Sequence, residues 1–285
     1  MNPGSEQLIQ RLKALADPVR LRLVALCGAA ECSVSELTQV TGLSQPRVSQ
    51  HLKALIDADL LERFRDGHFV YYRVPASGRD VAARRRLLAL LPAEEPDFAR
   101  DLAKLCKLRG DTTPGHGIDG ADRLLHKALV ELTVATPLGD LLDVGCGQGR
   151  LLKLLASRAH RVVGVDIDPG ARRLARAAML LAGLPNCSLR QGDMYALPFE
   201  DGEFDTVILD DVLGDASRPA EAIEEARRLL KPGGRILFLA AASGRSAEQL
   251  KAEFASWAAA TSLRLAPPRS IPDNEPGWLL GVATA

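Results

Sequence analysis

The stretch LLDVGCGQGR (141–150), followed by RVVGVDIDP (161–169), decides the fold of this chain. Three glycines at alternate positions end its apolar run: Gly145, Gly147 and Gly149. Such a turn lets the backbone bend tightly and presents amide N–H groups at a helix start, where an anionic or hydroxyl-rich ligand is favoured. Asp166 closes the second apolar run nineteen residues after Gly147, and a carboxylate in that place suits a ribose diol. The stretch therefore predicts a strand, turn, helix and strand that bind a nucleoside-like ligand.

The spacing G-x-G-x-G differs from the dinucleotide-binding pattern, whose third glycine comes one residue later. Together with QGDM (191–194), FDTVILDD (204–211) and LLKPGGRILFLA (229–240), it resembles the class I S-adenosylmethionine-dependent methyltransferases. The resemblance implies S-adenosylmethionine or S-adenosylhomocysteine as the cofactor, with Asp166 on the ribose and Asp193 near the adenine amine. The cofactor-binding positions that it implies are Asp143, Gly145, Cys146, Gly147, Gly149, Asp166, Ile167, Asp193, Met194 and Asp210.

Strands and helices alternate through the second half of the chain, with helical patterns at 172–183, 219–230 and 249–260. Alternation of this kind implies a parallel sheet covered on both faces, and 262–268 and 277–285 are expected to be the final strands. The predicted class is α/β: an N-terminal winged helix-turn-helix domain, then a Rossmann-like methyltransferase domain with a mostly parallel, doubly wound sheet.

Composition agrees with a globular protein that can bury a core. The 285 residues are 47% apolar and carry no formal net charge. No apolar run approaches eighteen residues, and MNPGSEQL (1–8) has no basic start and no apolar centre, so we expect neither a membrane span nor a signal peptide and place the protein in the cytoplasm. The five cysteines lack metal-type spacing and are expected to be small, partly buried thiols.

The first third of the chain is locally basic, with thirteen Arg or Lys against eight Asp or Glu over residues 11–86. Such an excess of positive charge favours binding to a polyanion. Helices are predicted at 7–16, 17–27 and 32–42, the last capped by Ser33 or Ser35 and ended by Gly42. LSQPRVSQHLKALIDADLL (43–61) forms a further helix whose apolar stripe is Val48, Leu52, Leu55 and Ile56. Its outer face is polar and basic, as a helix that enters a DNA groove requires.

Two β-prone runs, LLERFR (60–65) and HFVYYRV (68–74), flank an Asp66-Gly67 turn and predict a hairpin. Helix, turn, helix and basic hairpin in this order resemble the ArsR-type winged helix-turn-helix regulators, which place the second helix in the major groove of double-stranded operator DNA. Carried onto this sequence, the DNA-contact candidates are Ser44, Gln45, Arg47, Ser49, Gln50 and Lys53 on the helix, with Arg63, Arg65 and His68 on the wing. A module for protein contacts with a solvated polar face is the alternative.

In the same family paired cysteines often bind a metal at the start of the preceding helix, but serines, Ser33 and Ser35, stand there in this sequence. We therefore expect no metal site. The family also makes a symmetric dimer through its first and last helices, so RDVAARRRLLALL (79–91) implies a homodimer. The run Arg84 to Arg86 could touch phosphate, although a solvated helix face explains it more simply.

The predicted domains are 1–92, which binds DNA and dimerises, a linker at 93–120 and the cofactor-binding domain at 121–285. Within the linker, FARDLAKLCKL (98–108) predicts an amphipathic helix whose inward residues are Phe98, Leu102, Leu105 and Leu108. His126 lies on a predicted helix, where a structural role is more usual than that of a base.

Methyl transfer to nitrogen or oxygen needs a nucleophile in line with the sulfonium and often a base. Asp210 and Asp211 end the strand beside which an acceptor would bind, and because neighbours on a strand point to opposite faces, Asp210 is the catalytic candidate. A structural or cofactor-side role fits Asp210 equally well. Residues 98–120, where related two-domain chains carry aromatic residues, hold only Phe98. The sequence thus favours a transcription regulator that methylates an unidentified small molecule, with a catalytically silent cofactor sensor as the alternative.

Overall fold

The computed structural model describes residues 3–66, 69–75, 80–92, 95–110, 120–242, 244–272 and 277–284. By its internal contacts the chain divides into two compact units, one of Met1–Thr113 with Arg176–Pro185 and the other of Pro114–Ala175 with Asn186–Ala285. None of the described helices is long and apolar enough to cross a lipid bilayer. The domain boundaries given above stay predictions.

The first unit is mainly helical. Its elements are α1 (Pro3–Leu15), α2 (Pro18–Ala29), β1 (Cys32–Ser33), α3 (Val34–Thr41), α4 (Gln45–Asp57), β2 (Glu62–Asp66), β3 (Phe69–Arg73), α5 (Val81–Leu88) and α6 (Pro96–Gly110). The three strands form an antiparallel sheet in the order β1, β3, β2. Helices lie where the sequence predicts them, although α3 begins two residues later because Cys32 and Ser33 pair with the hairpin.

Local side-chain bonds set the ends of α2 and α3. Asp17 accepts a hydrogen bond from the backbone N–H of Arg20, at 2.9 Å, and so caps α2. Ser33 and Glu36 form a reciprocal capping box at the start of α3, and Gly42 ends that helix with a φ of 72°. Of the two serines that the sequence offered as the cap, Ser33 is therefore the one used.

Helix α4 packs through the apolar stripe that the sequence predicts. Val48, Leu52 and Leu55 are buried, and Ile56 packs against the same core. Ser44 occupies the N-cap position, but its side chain makes no capping hydrogen bond. The hydroxyl of Ser44 therefore does not serve to start the helix.

Helix α6 differs from the amphipathic helix that we predicted. Leu105 is fully buried, whereas Leu102 and Leu108 are more than a third exposed. The inward face carries charge instead, since both carboxylate oxygens of Asp101 accept hydrogen bonds from Arg22, at 2.6 and 2.8 Å. A hydrophobicity pattern could not show this, because it counts a buried, paired aspartate as a surface residue.

The hairpin differs from its prediction by one position. Strand β2 runs to Asp66, which pairs with Phe69, so Asp66 belongs to the strand and is buried rather than part of the turn. Gly67 and His68 lie outside the described residues. Arg84 is a second correction, because it is buried and its guanidinium bonds Asp59, at 2.9 Å, and the Pro75 carbonyl, at 3.2 Å. Arg84 therefore holds α5 in place and cannot contact phosphate, whereas Arg85 and Arg86 are exposed.

The second unit is an α/β unit. Its elements are α7 (Gly120–Ala135), β4 (Asp140–Val144), α8 (Arg150–Leu155), β5 (Arg161–Asp166), α9 (Pro169–Leu181), β6 (Cys187–Gln191), β7 (Phe204–Asp210), α10 (Pro219–Arg228), β8 (Leu230–Ala241), α11 (Ala247–Ala260), β9 (Arg264–Leu265), β10 (Arg269–Ile271) and β11 (Trp278–Thr284). Of helix α9, only the residues up to Ala175 belong to this unit. One sheet runs in the order β10, β11, β8, β7, β4, β5, β6, with β9 paired to β11.

The sheet is mostly parallel, which confirms the predicted fold class. The pairs from β6 through β5, β4 and β7 to β8 are parallel, and β11 is antiparallel to β8. Its central strands carry almost continuous buried runs, such as Val162–Val165 and Thr206–Leu209, because both faces of the sheet are covered. Phe238 and Phe254 belong to this core and Trp257 packs against it, with the rings tilted or edge-on and their centroids 5.4 to 6.2 Å apart.

The capping box gives a stability prediction. Ser33→Ala removes the side-chain oxygen that accepts the Glu36 N–H, and we expect the first unit to lose about 1 kcal/mol of unfolding free energy. Ser35→Ala is the control, because Ser35 is exposed two residues further on and does not cap the helix. Urea unfolding followed by circular dichroism compares the two variants, and equal losses would contradict the assignment of Ser33 as the cap.

Candidate functional site

The predicted cofactor residues lie at one edge of the parallel sheet. Strand β4 stands between β5 and β7, so the carboxyl ends of these strands, at Val144, Asp166 and Asp210, are neighbours. The chain leaves β4 towards β5 and β6 and then returns to form β7 on the other side of β4. A ligand is expected in the crevice at such a reversal of strand order.

The glycine turn after β4 needs its glycines for two different reasons. All three have positive φ, at 80° for Gly145, 50° for Gly147 and 81° for Gly149, where other residues are strained. A Cβ on Gly145 would come within 2.0 Å of a methyl of Val212. A Cβ on Gly147 would meet no atom within 4 Å, so this glycine borders open space. The turn therefore packs at Gly145 and leaves room for a ligand at Gly147.

Four amide groups of this turn already have hydrogen-bond partners, although a turn at a helix start was expected to leave N–H groups for a ligand. The N–H groups of Gly145 and Cys146 both donate to the Val165 carbonyl, and that of Gly147 donates to Asp166 Oδ2 at 2.8 Å. The N–H of Gly149 donates to the Cys146 carbonyl. These bonds tie the turn to β5, so recognition in this structure depends on side chains and open space more than on a row of amide donors.

Asp166 holds the two sides of the crevice together. Its Oδ2 accepts the Gly147 N–H, and its Oδ1 accepts the Asp168 N–H, also at 2.8 Å. The Asp166 carbonyl accepts a hydrogen bond from the buried Arg172 at 2.7 Å. Ile167 follows directly and is 67% exposed, which leaves an apolar side chain open beside this acid.

Asp143 is a buried acid of the second unit. Its side chain is fully buried, and neither carboxylate oxygen has a hydrogen-bond partner in the structure. Burial raises the pKa of Asp143 well above its usual range, and the charge of Asp210 raises it further, whereas Arg150 lowers it. A buried carboxyl without partners is costly, and it fits a site whose ligand brings positive charge or donors.

Asp210 ends β7 with its carboxylate almost buried. Arg150 Nη2 lies 3.0 Å from Oδ1 and 3.3 Å from Oδ2 of Asp210. Asp211 is exposed and turned elsewhere, since its φ is 55° and its Oδ1 accepts the Ala241 N–H at 3.0 Å. The two side chains thus separate because Asp211 lies just outside β7, and not because they alternate along one strand as predicted. Proton transfer to Asp210 would require its ion pair with Arg150 to open.

The remaining cofactor candidates differ in their exposure. Asp193 is exposed just beyond β6 and accepts the Tyr195 N–H, while Met194 packs partly against the core. The thiol of Cys146 is buried, and its Sγ would lie 2.8 Å from a Cβ on Gly164. Burial also raises the pKa of Cys146 far above its usual range. Cys146 thus fills space under the turn and does not present a reactive thiolate.

The first unit exposes the predicted DNA candidates on α4 and β2. Exposed side chains are those of Ser44, Gln45, Arg47, Ser49, Gln50, Lys53, Arg63 and Arg65, whereas His68 lies outside the described residues. Phe69, at the start of β3, is 61% exposed and was not among the residues predicted from the sequence. It pairs with the buried Asp66 at the end of the hairpin, so its exposure could not be read from strand alternation. The side chain of His126 also lies outside the described residues.

Two sequence models match this chain. One described as a helix-turn-helix domain covers residues 15–63, and one described as a methyltransferase domain covers residues 142–238. An uncharacterized 37.1 kDa protein in transposon TN4556 of Streptomyces fradiae is 32% identical over 54% of this chain and 48% of its own length. A demethylmenaquinone methyltransferase of Symbiobacterium thermophilum is 32% identical over 53% of this chain and 61% of its own length. The chain spans about half the length of the curated relatives it matches.

A solved structure shares the fold of the second unit. A SAM dependent methyltransferase from Aquifex aeolicus matches with a TM-score of 0.50 and 18% identity, over 64% of this chain and 96% of that one. A methyltransferase domain implies S-adenosylmethionine as cofactor, and the buried carboxyl of Asp143 and the open space at Gly147 fit such a ligand. The chain thus contains a helix-turn-helix domain at residues 15–63 and a methyltransferase domain of Rossmann-like fold at residues 142–238.

Proposed function

We propose that the protein is an ArsR-type transcription regulator whose C-terminal domain binds S-adenosylmethionine and methylates a small molecule. The observation that carries the second half of this proposal is the group of three aspartates at the crevice, with Asp143 buried and unpartnered. The sulfonium of S-adenosylmethionine activates its methyl group towards a nucleophile. Asp166 would hold the ribose hydroxyls, and Asp143 and Asp210 would face the charged end of the cofactor.

The alternative is a domain that senses the cofactor without turnover. The ion pair between Arg150 and Asp210 favours this alternative, because Asp210, the catalytic candidate, is already paired and is not positioned to accept a proton. A sensor needs only that cofactor binds one DNA-binding state better than another. Domain limits of 1–92, 93–120 and 121–285 form part of this proposal.

Calorimetric titration of the full chain with S-adenosylmethionine and S-adenosylhomocysteine, with and without DNA from upstream of its own gene, tests these proposals. Coupling is reciprocal, so a change in cofactor affinity on adding DNA means that cofactor controls DNA binding, which supports the sensor. If bound DNA leaves both cofactor affinities unchanged, the two domains are energetically independent, and a methyl acceptor should be sought. Failure of both ligands to bind would overturn the cofactor proposal.

Asp166→Ala should weaken S-adenosylmethionine binding by about 1.5–3 kcal/mol, the scale of a hydrogen bond to a charged group. Asp140→Asn is the control, because Asp140 begins β4 at the opposite edge of the sheet and pairs with Lys231 at 3.2 Å. Calorimetry on both variants gives the comparison. An Asp166→Ala variant with wild-type affinity would show that the cofactor lies elsewhere.

Arg47→Ala should weaken binding to DNA by about 1–3 kcal/mol and leave cofactor affinity unchanged, since Arg47 is exposed on the outer face of α4. Arg100→Ala removes the same charge from an exposed position on α6, where Arg100 pairs only with the neighbouring Asp97 in the structure described, and should have little effect. Fluorescence anisotropy with labelled DNA from upstream of the gene measures both. Equal affinities for the two variants would remove Arg47 from the contact surface.

We also propose a homodimer through α1 and the end of α5. Leu8, Ile9 and Leu12 lie exposed on α1, and Leu90, just after α5, is 77% exposed. Apolar side chains clustered on one face favour association. A twofold axis through these helices would place two copies of α4 on a palindromic site.

Leu12→Glu should convert the dimer to a monomer, because a charge would be buried in the proposed interface. Leu102→Glu is the matched control, since Leu102 is exposed to a similar degree on α6. Sedimentation equilibrium distinguishes the two species. A Leu12→Glu variant that remains dimeric would place the interface on another surface.

A further inference from the structure

Arg150 is held between two elements of the second unit. It is the first residue of α8 and follows the last glycine of the turn. Its guanidinium bonds the carboxylate of Asp210 at the end of β7, and its Cζ lies 4.2 Å from the ring centroid of Trp278 in β11. A guanidinium between a carboxylate and an aromatic face has few alternative positions, so its charge is fixed beside the crevice.

Several acidic side chains lie near Arg150. Three acidic side chains, those of Asp143, Asp166 and Asp210, lie at the turn and at the adjacent strand ends, and burial raises the pKa of Asp143, which favours its uncharged form. Arg172 bonds the backbone carbonyl of Asp166 at 2.7 Å. Arg150 pairs with the carboxylate of Asp210 at 3.0 Å, and its charge lowers the pKa of Asp143. Arg150 therefore offsets the charge of Asp210 at the crevice.

We propose that Arg150, held by Asp210 and Trp278, is a specificity-determining residue that sets the preference of the site between S-adenosylmethionine and S-adenosylhomocysteine. The proposal rests on the proposed cofactor site. Both ligands share the nucleoside, the ammonium and the carboxylate, and they differ in the sulfonium charge and its methyl group. The ratio of their dissociation constants therefore reports the electrostatic potential at the sulfur, because the shared contacts cancel.

The position of Arg150 gives this effect a definite sign. A fixed positive charge disfavours a sulfonium and has little effect on a neutral thioether. Arg150 thus lowers the preference for S-adenosylmethionine that the aspartates would otherwise create. A site balanced in this way responds to the proportion of the two ligands, which is the quantity that methyl transfer changes.

Calorimetric titration of the full chain with each ligand, in wild type and in charge variants, tests the proposal. Arg150→Gln should raise the preference for S-adenosylmethionine over S-adenosylhomocysteine by about three- to tenfold, as expected for removing one charge several ångströms away in a partly screened site. Asp210→Asn should shift the ratio by a similar factor in the opposite direction. Arg150→Lys keeps the charge and should stay within about twofold of wild type.

Control variants separate charge from structure. Arg158→Gln removes an exposed arginine beyond the other end of α8 and should not change the ratio. Trp278→Leu removes the aromatic face that positions Arg150, whereas Trp278→Phe retains one, so only the leucine variant should shift the ratio. If Arg150→Gln weakens both ligands equally, or if both charge variants shift the ratio in the same direction, the proposal is overturned. If neither ligand binds the wild-type chain, the cofactor site itself is refuted.

Discussion

The cofactor crevice depends on a short turn with positive φ at three glycines. This turn connects the central strand β4 to α8, and a methyl of Val212 stands where a Cβ of Gly145 would lie. Because the N–H of Gly147 bonds Asp166, the same turn also fixes the end of β5. Strand ends, helix start and acidic side chains are therefore positioned by one backbone conformation that only glycine adopts without strain.

The charges at this turn explain what the crevice can hold. A buried carboxyl such as Asp143 is costly unless a partner arrives, and its neighbours Asp166 and Asp210 are also acidic. Arg150 offsets this charge through an ion pair that is itself fixed by Trp278. The site thus places the fixed charge of Arg150 beside acidic side chains, and this arrangement suits discrimination between ligands that differ by one charge.

The helical unit is held together by different means. Apolar side chains of α4 fill its core, and partly buried ion pairs connect the helices, with Arg22 of α2 on Asp101 of α6 and Arg84 of α5 on Asp59 just after α4. The outer face of α4 and the basic residues of β2 are exposed. The arginines of this unit therefore divide into those that stabilise the fold and those that remain available to a polyanion.

The sequence by itself determined the main helices, the strands of the parallel sheet and the tight glycine turn, because hydrophobic period, caps and glycine spacing are local properties of the chain. It predicted the parallel sheet, the apolar stripe of α4 and the place of Asp166. Only the tertiary structure decided that Arg84 and Asp101 are buried, that Leu102 is exposed and that the turn amides are already bonded. The ion pair of Arg150 with Asp210 joins residues sixty positions apart. Such pairings depend on which elements pack together, and packing is a property of the folded chain that no local pattern encodes.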